Sequence, residues 1–224
     1  MKRVTIASVG LLFVPSLWMM PAIATETGSA IVPKAKTMLW NGTDFTGWKR
    51  FLPDASKNVE DTWSIADGVL RCAGKPVGYM RTETSYADYH LHVEWRWPAT
   101  PGNNGVLVHM SGQDVVWPRS LECQLASGSA GDFWVIGGFE HAEHSKGGDR
   151  VQGRRVLKLH DSSEKPLGEW NQYDIICKDD WVVVLTNGVL QNVATQCSDK
   201  SGRICLQSEG APIEYRNIWI EPLE

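Results

Sequence analysis

Residues 89–97 read Tyr89-His90-Leu91-His92-Val93-Glu94-Trp95-Arg96-Trp97, apolar and polar side chains alternating without a break. A pleated strand turns successive side chains to opposite faces. Leu91, Val93, Trp95 and Trp97 are therefore expected to face a core, while His90, His92, Glu94 and Arg96 share the other face. That second face is ionisable, so it is a first place to look for a bound sugar, a metal or a reacting bond.

Short runs of the same kind recur along the chain: 63–70, 105–110, 120–125, 153–160, 171–178, 181–186, 203–207 and 213–220. Each is bounded by Gly, Pro, Asn or Asp. Asp67-Gly68, Asn104-Gly105 and Asn187-Gly188 are the sharpest turn signals. No stretch of useful length carries a helical period. Many short strands in about 200 residues predict an all-β, two-sheet sandwich, one face of each sheet packed inward.

At the N-terminus, Lys2 and Arg3 precede an apolar stretch from Val4 to Met20 that closes on Ala22-Ile23-Ala24. This is expected to be a signal peptide cut after Ala24, which makes the mature protein secreted or periplasmic. Residues 25–37 are small, polar and Pro-interrupted and are expected to form a flexible leader, with a single domain over 38–224. The net charge of −4 is mild, and no basic run interleaves with aromatics, so nucleic acid is not an expected partner. Beyond the signal, no segment is long and apolar enough to span a bilayer.

The chain has 11 tryptophans, most of which suit core filling. Trp117 and Trp134 lie in Gly/Pro/Ser-rich connections and are better placed to stack on a sugar ring. The five cysteines are an odd number, so at least one is free or pairs between chains. Cys197 and Cys205 flank a polar turn and would be bridged if it is a hairpin, whereas Cys123 and Cys177 fit as buried small apolar residues. In Leu121-Glu122-Cys123-Gln124-Leu125 the two polar residues share a face and stand roughly 7 Å apart, a span that suits a carboxylate and an amide gripping one hexose. Gly105, Leu107 and His109 share a parity on another run. His141-Ala142-Glu143-His144 is a second cluster, in a Gly-rich stretch that reads as a surface loop and potential lid.

The phrases Leu39-Trp40-Asn41-Gly42-Thr43-Asp44-Phe45-Thr46-Gly47-Trp48, Trp63-Ser64-Ile65-Ala66-Asp67-Gly68-Val69-Leu70, Asn103-Asn104-Gly105-Val106, Glu122-Cys123-Gln124, Pro166-Leu167-Gly168-Glu169-Trp170-Asn171, Leu185-Thr186-Asn187-Gly188 and Tyr215-Arg216-Asn217-Ile218 occur in this order. The ordered set resembles the 3-keto-disaccharide hydrolase domain family. The resemblance implies a concanavalin A-like jelly roll with a sugar site on its concave sheet. It also implies cleavage of 3-keto-glucosides or 3-keto-disaccharides previously oxidised by a partner sugar 3-dehydrogenase. By this resemblance Glu122 and Gln124 carry over from the Glu-x-Gln phrase, Asn103 from the Asn-x-Gly phrase, and Glu94 from the strand before it. Two departures stand out: Leu206-Gln207-Ser208-Glu209-Gly210 has a carboxylate where the family often has imidazole, and His109 stands where many relatives carry Arg.

A 3-keto sugar opens two routes. Two carboxyls can act as acid and base in hydrolysis, Glu122 paired with Glu94 or Glu209. Alternatively the ketone acidifies the proton at C2, so that elimination of the C1 group and hydration follow, given a base near C2 and a polariser of the ketone oxygen. Glu122, Glu94 and His109 are the expected catalytic residues. Gln124, Asn103, Arg96, Glu209 and Trp134 are expected to bind the sugar, with Gln124, His109 or Arg96 on the keto oxygen. No cofactor is required by the sequence. A divalent metal on His90, His92, Glu94 and His109 is the other reading of those imidazoles, which otherwise are solvated. A non-catalytic, lectin-like sugar-binding domain on the same sandwich is the alternative to an enzyme.

Overall fold

The structure is a computed structural model that describes residues 29–223, so the expected signal segment lies outside the described residues. Its strands are β1 (Thr37–Met38), β2 (Trp48–Phe51), β3 (Trp63–Ala66), β4 (Val69–Cys72), β5 (Gly78–Thr82), β6 (Tyr89–Arg96), β7 (Gly105–Ser111) and β8 (Arg119–Gln124). They continue with β9 (Phe133–Ile136), β10 (Val151–Gln152), β11 (Arg155–Val156), β12 (Asn171–Lys178), β13 (Trp181–Thr186), β14 (Val189–Ala194), β15 (Arg203–Ser208) and β16 (Ile213–Pro222). The one α-helix among the described residues, α1 (Ala142–Ser145), has a single turn.

Two antiparallel sheets result. One runs β14-β13-β12-β6-β16-β4-β3, with β1 added alongside β16; the other runs β10-β11-β9-β8-β7-β15-β5-β2. The expected alternation is met on β6: Tyr89, Leu91, Val93 and Trp95 are fully buried and His90, His92, Glu94 and Arg96 are half-buried on the other face. The β6 residues meet Val106, Val108, Leu121, Cys123, Phe133 and Leu206 of the facing sheet in one core cluster. Asp67-Gly68 and Asn187-Gly188 have positive φ at both residues and close two-residue hairpins between β3 and β4 and between β13 and β14. This is the backbone that type I′ turns require.

Four expectations are corrected. Asn104-Gly105 is no turn: Gly105 opens β7, and the buried Asn104 Oδ1 accepts the Gly105 N–H at 2.9 Å. The run 153–160 forms only the two-residue strand β11. The leader is tied down from Ile31 onward, since Ile31 bridges Tyr86 and Thr37 pairs with Ile220. Cys197 and Cys205 are both free, because Cys197 joins the main core while Cys205 packs with Tyr79 and Leu107 on the opposite face of its sheet.

The polar face of β6 is a network of ion pairs. His90 lies 2.9 Å from Asp174 and 3.0 Å from Glu221, and His92 lies 2.8 Å from the same Asp174. His92 also stacks on Trp219, with ring centroids 4.6 Å apart. Hydrogen bonding to Asp174 holds the His90 pKa above its ordinary value. Although burial opposes it, hydrogen bonding to His90 and His92 holds the Asp174 carboxyl well below the usual carboxylate range. The histidine contribution is complete below about pH 6.5 and disappears as pH rises through the elevated His90 pKa, whereas the carboxylate contribution is complete above about pH 3.9 and disappears in stronger acid. Asp174→Asn is therefore expected to destabilise most between those limits. Urea unfolding at pH 5 and pH 9 checks this: a larger loss at pH 9 would contradict the assignment.

Candidate active site

On the other sheet, β8 turns Leu121 and Cys123 into the core, followed by Leu125 just past its end, which obliges Glu122 and Gln124 to face outward. In register, Leu107, Glu122 and Trp134 lie side by side on β7, β8 and β9, with Gly105 beside Gln124. A pocket of about 190 Å³ opens over this row, lined by Asn103, Trp117, Glu122, Gln124, Trp134, Ile136, Arg154 and Glu209. It is smaller than the range of roughly 300–1,000 Å³ common for drug-sized ligands, and so fits about one sugar ring.

Gly105 makes the floor of this site. A Cβ there would fall 2.5 Å from both Glu122 Oε1 and Gln207 Oε1, so only glycine lets the carboxyl and the amide lie over β7. Glu122 is 5% exposed, and its Oε1 has no hydrogen-bond partner. Both amide atoms of Gln207 and Oδ1 of Asn103 are likewise buried without partners. Gln124 Oε1 accepts the Ala126 N–H at 2.9 Å, which orients the amide.

Burial pushes the Glu122 carboxyl up to about 8, and the charge of Glu209 adds to the effect; the neighbouring Gln207 amide and Arg154 oppose it. Burial likewise raises Glu209 to about 6, against the charge of Arg154. Near neutral pH the pocket thus holds one protonated and one mostly ionised carboxyl. Carboxyls with different protonation at the same pH are what acid and base roles require.

Of the expected site residues, Glu122, Gln124, Asn103, Glu209 and Trp134 come together. Glu94, Arg96 and His109 do not. Glu94 lies on the outer face of the opposite sheet, where Arg216 and Asn217 donate to it at 2.6 and 2.7 Å. Arg96 is on that same face, paired with Glu214 at 2.7 Å and placed over Trp170. Identical alternation on two sheets carries no mark of which sheet a strand joins. His109 fails for another reason: the β7–β8 register shifts between Val108 and Ser111, and His109 takes φ 57°. The bulge directs its ring at Tyr89 and Phe139 of the main core, while Met110 takes the outer face with Leu107. There burial lowers the imidazole to about 4, so it is neutral.

The proposed metal set does not assemble, because His109 is in the core and His90 and His92 are already engaged by carboxylates. Among the described residues, no three His, Cys, Asp or Glu side chains are grouped as metal ligands. The second cluster is an anchor, not a lid: His141 is 1% exposed against Phe133, and Glu143 accepts both the N–H and the hydroxyl of Thr195. Arg154, Gln207 and Ile136 were missed. Gly153-Arg154 is the tip of the β10–β11 hairpin, and its signal is the Gly that opens the run 153–160, expected as one strand.

Of three larger clefts, one of about 410 Å³ lies beside the paired His90 and Glu221, and two, of about 420 and 590 Å³, share Gly128 and Ser162. The charged and amide groups of these two are largely spent on the protein itself: Lys158 donates to Gly128 O, Asn171 accepts the Lys165 N–H, and Arg155 pairs with Asp132, while the indole N–H of Trp97 has no partner. The pocket over Glu122 differs in having an unpartnered carboxyl oxygen, Glu122 Oε1, and an unpartnered amide oxygen, Asn103 Oδ1, among its lining residues.

An elevated carboxyl pKa costs stability as pH rises from the unfolded value toward the folded one. For Glu122 this comes to about 3 kcal/mol at pH 7. Glu122→Gln is expected to be more stable than the parent, with a gain that grows between about pH 5 and pH 8. Thermal unfolding across that range tests it; a variant less stable at pH 8 than the parent would rule out a desolvated carboxyl.

Comparison of the sequence with curated proteins gives no match. Solved structures share the fold. Two Parabacteroides distasonis proteins provisionally named glycosyl hydrolases align at TM-scores of 0.62 and 0.60. They share 23% and 21% identity with this chain, covering 85% and 84% of it and 94% and 99% of themselves. A Bacillus licheniformis β-glucanase aligns at a TM-score of 0.54 with 14% identity, over 89% of this chain and all of its own. The architecture is thus a concanavalin A-like jelly roll. The model of the 3-keto-alpha-glucoside-1,2-lyase-like domain matches residues 35–221, and the chain belongs to that family.

Proposed function

We propose that the protein cleaves the glycosidic bond of 3-keto-glucosides or 3-keto-disaccharides in the pocket over Glu122. The observation that carries this reading is the pair of carboxyls, Glu122 and Glu209, held in one small pocket walled by Trp117 and Trp134 and differently protonated at neutral pH. Membership of the family and the glycosidase-type fold support a carbohydrate-active domain.

Trp134 and Trp117 offer apolar faces to a sugar ring. Asn103, Gln124 and Gln207 offer amides to its hydroxyls. The ketone at C3 makes the C2 proton acidic, and Glu209, ionised, takes it. The electron pair left at C2 closes the C1–C2 double bond, the C1–O bond breaks, and protonated Glu122 delivers its proton to the departing oxygen. The products are an alcohol and an unsaturated 3-keto sugar; addition of water across the new double bond gives 3-keto-glucose, so the net result is hydrolysis. Because the sugar must arrive oxidised at C3, a sugar 3-dehydrogenase is the proposed upstream partner. With the N-terminal segment acting as an export signal, the reaction belongs to the periplasm or the exterior.

Purified protein incubated with 3-keto-glucosides beside the unoxidised glucosides is expected to release the aglycone only from the oxidised set. Binding of both sets with no release would instead establish a lectin-like module. Activity should rise as pH passes about 6, where Glu209 ionises, and fall as pH passes about 8, where Glu122 loses its proton. Glu122→Gln and Glu209→Gln are each expected to slow release by about 10²–10⁴-fold. A pH profile flat from 5 to 9 would remove the acid and base roles from this pair.

A further inference from the structure

Loss of the C2 proton sends negative charge onto the C3 oxygen, and of the three candidates for that oxygen, Arg96 and His109 are absent from the pocket and only the neutral Gln124 lines it. Arg154 is the sole cation among the residues lining it. Its guanidinium stands over Trp134, 5.7 Å from the ring centroid, and its charge is felt by both Glu122 and Glu209. With Arg203, it is one of two arginines among the described residues whose side chain makes no ion pair or hydrogen bond. The others are held by acids or carbonyls, as Arg155 is by Asp132 and Arg150 by Leu157 O.

The backbone under this free guanidinium is fixed. Arg154 O accepts the Val135 N–H at 3.0 Å, Gly153 O lies 2.9 Å from Nε2 of His144, and Arg155 next door is held by Asp132 and Ser129. A short hairpin is thus pinned on three sides with its one unpaired charge at the tip, beside the pocket. The amides of Gln124, Asn103 and Gln207 are the other donors on offer, but they are neutral, and hydrogen bonds from a charged donor are roughly twice as strong.

We propose that Arg154 holds the C3 oxygen of a 3-keto-glycosyl substrate as that oxygen becomes an enolate, an assignment that rests on the reading of the pocket given above. Glu209 removes the C2 proton, the C–H pair becomes the C2–C3 double bond, and the carbonyl pair moves onto the oxygen facing the guanidinium. The pair then returns, the C1–C2 bond becomes double, and the C1–O pair leaves with the proton of Glu122. No oxidant or reductant is consumed. Arg154 is a catalytic residue in this scheme, since it touches the atom on which charge develops.

The test separates proton removal from bond breaking. Wild type, Arg154→Gln and Arg154→Lys are compared on a 3-keto-glucoside and on 1,5-anhydro-3-keto-glucitol, which can lose its C2 proton but has no exocyclic group to expel. Aglycone release is followed on the first, and deuterium uptake at C2 from D2O by NMR on the second. In the Gln variant both rates are expected to fall by about a hundred- to a thousandfold with a much smaller change in KM, and Lys should restore part of the loss. Exchange at the wild-type rate in the Gln variant, or a raised KM with unchanged kcat, would overturn the role of Arg154 while leaving the pocket assignment intact. A wild-type protein that neither exchanges nor cleaves would bring down the pocket assignment and this proposal with it. Melting curves of both variants, with Arg154 on an exposed turn, guard against a folding defect.

Discussion

Burial of two strand faces against each other governs where every functional group can stand. Leu91, Val93 and Trp95 of one sheet and Val106, Leu121, Cys123 and Phe133 of the other are fully buried in a single cluster. Each large apolar side chain there stabilises the fold by about 1.5–3 kcal/mol. A slip of one residue along β8 would carry Leu121 and Cys123 into the pocket and Glu122 into the core. The cost of desolvating one carboxyl on the outer face is offset by one or two of these core side chains. The core therefore fixes the parity, and the parity places an acid in a dry pocket that its own solvation would avoid.

The same core positions the pocket more finely through two tyrosines that cross it. Tyr173, on the far sheet, donates its hydroxyl to the backbone oxygen of Gln124, and Tyr215 donates to Asn104 Oδ1 at 3.1 Å. A buried hydroxyl needs a partner, and here the partners are the chain segments that end β8 and begin β7. Asn104 passes the constraint on by accepting the Gly105 N–H. Gly105 can then approach Glu122 and Gln207 as closely as its missing Cβ allows. Catalytic geometry tolerates errors of only about 0.5 Å, and a site on sheet ends tied through the core holds that tolerance better than one on loops.

Alternation in residues 89–97 was enough to say which side chains enter the core, and two-residue Asp-Gly and Asn-Gly signals were enough to locate two hairpins. The outward facing of Glu122 and Gln124 was readable because period-two patterning is a local property; Trp134, expected in a connection, stands instead on β9 beside Glu122. What local pattern lacks is sheet membership. Glu94-x-Arg96 and Glu122-x-Gln124 look alike, yet both members of the first are engaged by Arg216, Asn217 and Glu214 on one face of the sandwich, while Glu122 Oε1 of the second has no partner on the other. His109 shows the second limit: one extra residue in β7 reversed the side chains around it, and no residue type in Val108-His109-Met110 announces the bulge. Arg154 shows a third, since a two-residue hairpin is too short to have a period.

The unpartnered groups around Glu122 bear on what the pocket is for. Glu122 Oε1, Asn103 Oδ1 and both amide atoms of Gln207 are buried without a protein partner. Each such group costs about 1–3 kcal/mol relative to a satisfied one. A core that had been selected for stability alone would have replaced them with apolar residues, as it has at Leu107 and Ile136 on the same face. A ligand rich in hydroxyls can donate to the first two and both donate to and accept from the amide, so its binding would recover energy that folding left unused. An apolar ligand of the same size would bury these groups deeper and recover none of it. The mixture of acceptors, one amide and aromatic walls therefore selects a polyhydroxylated ring over a flat apolar one, and it does so before any bond is broken.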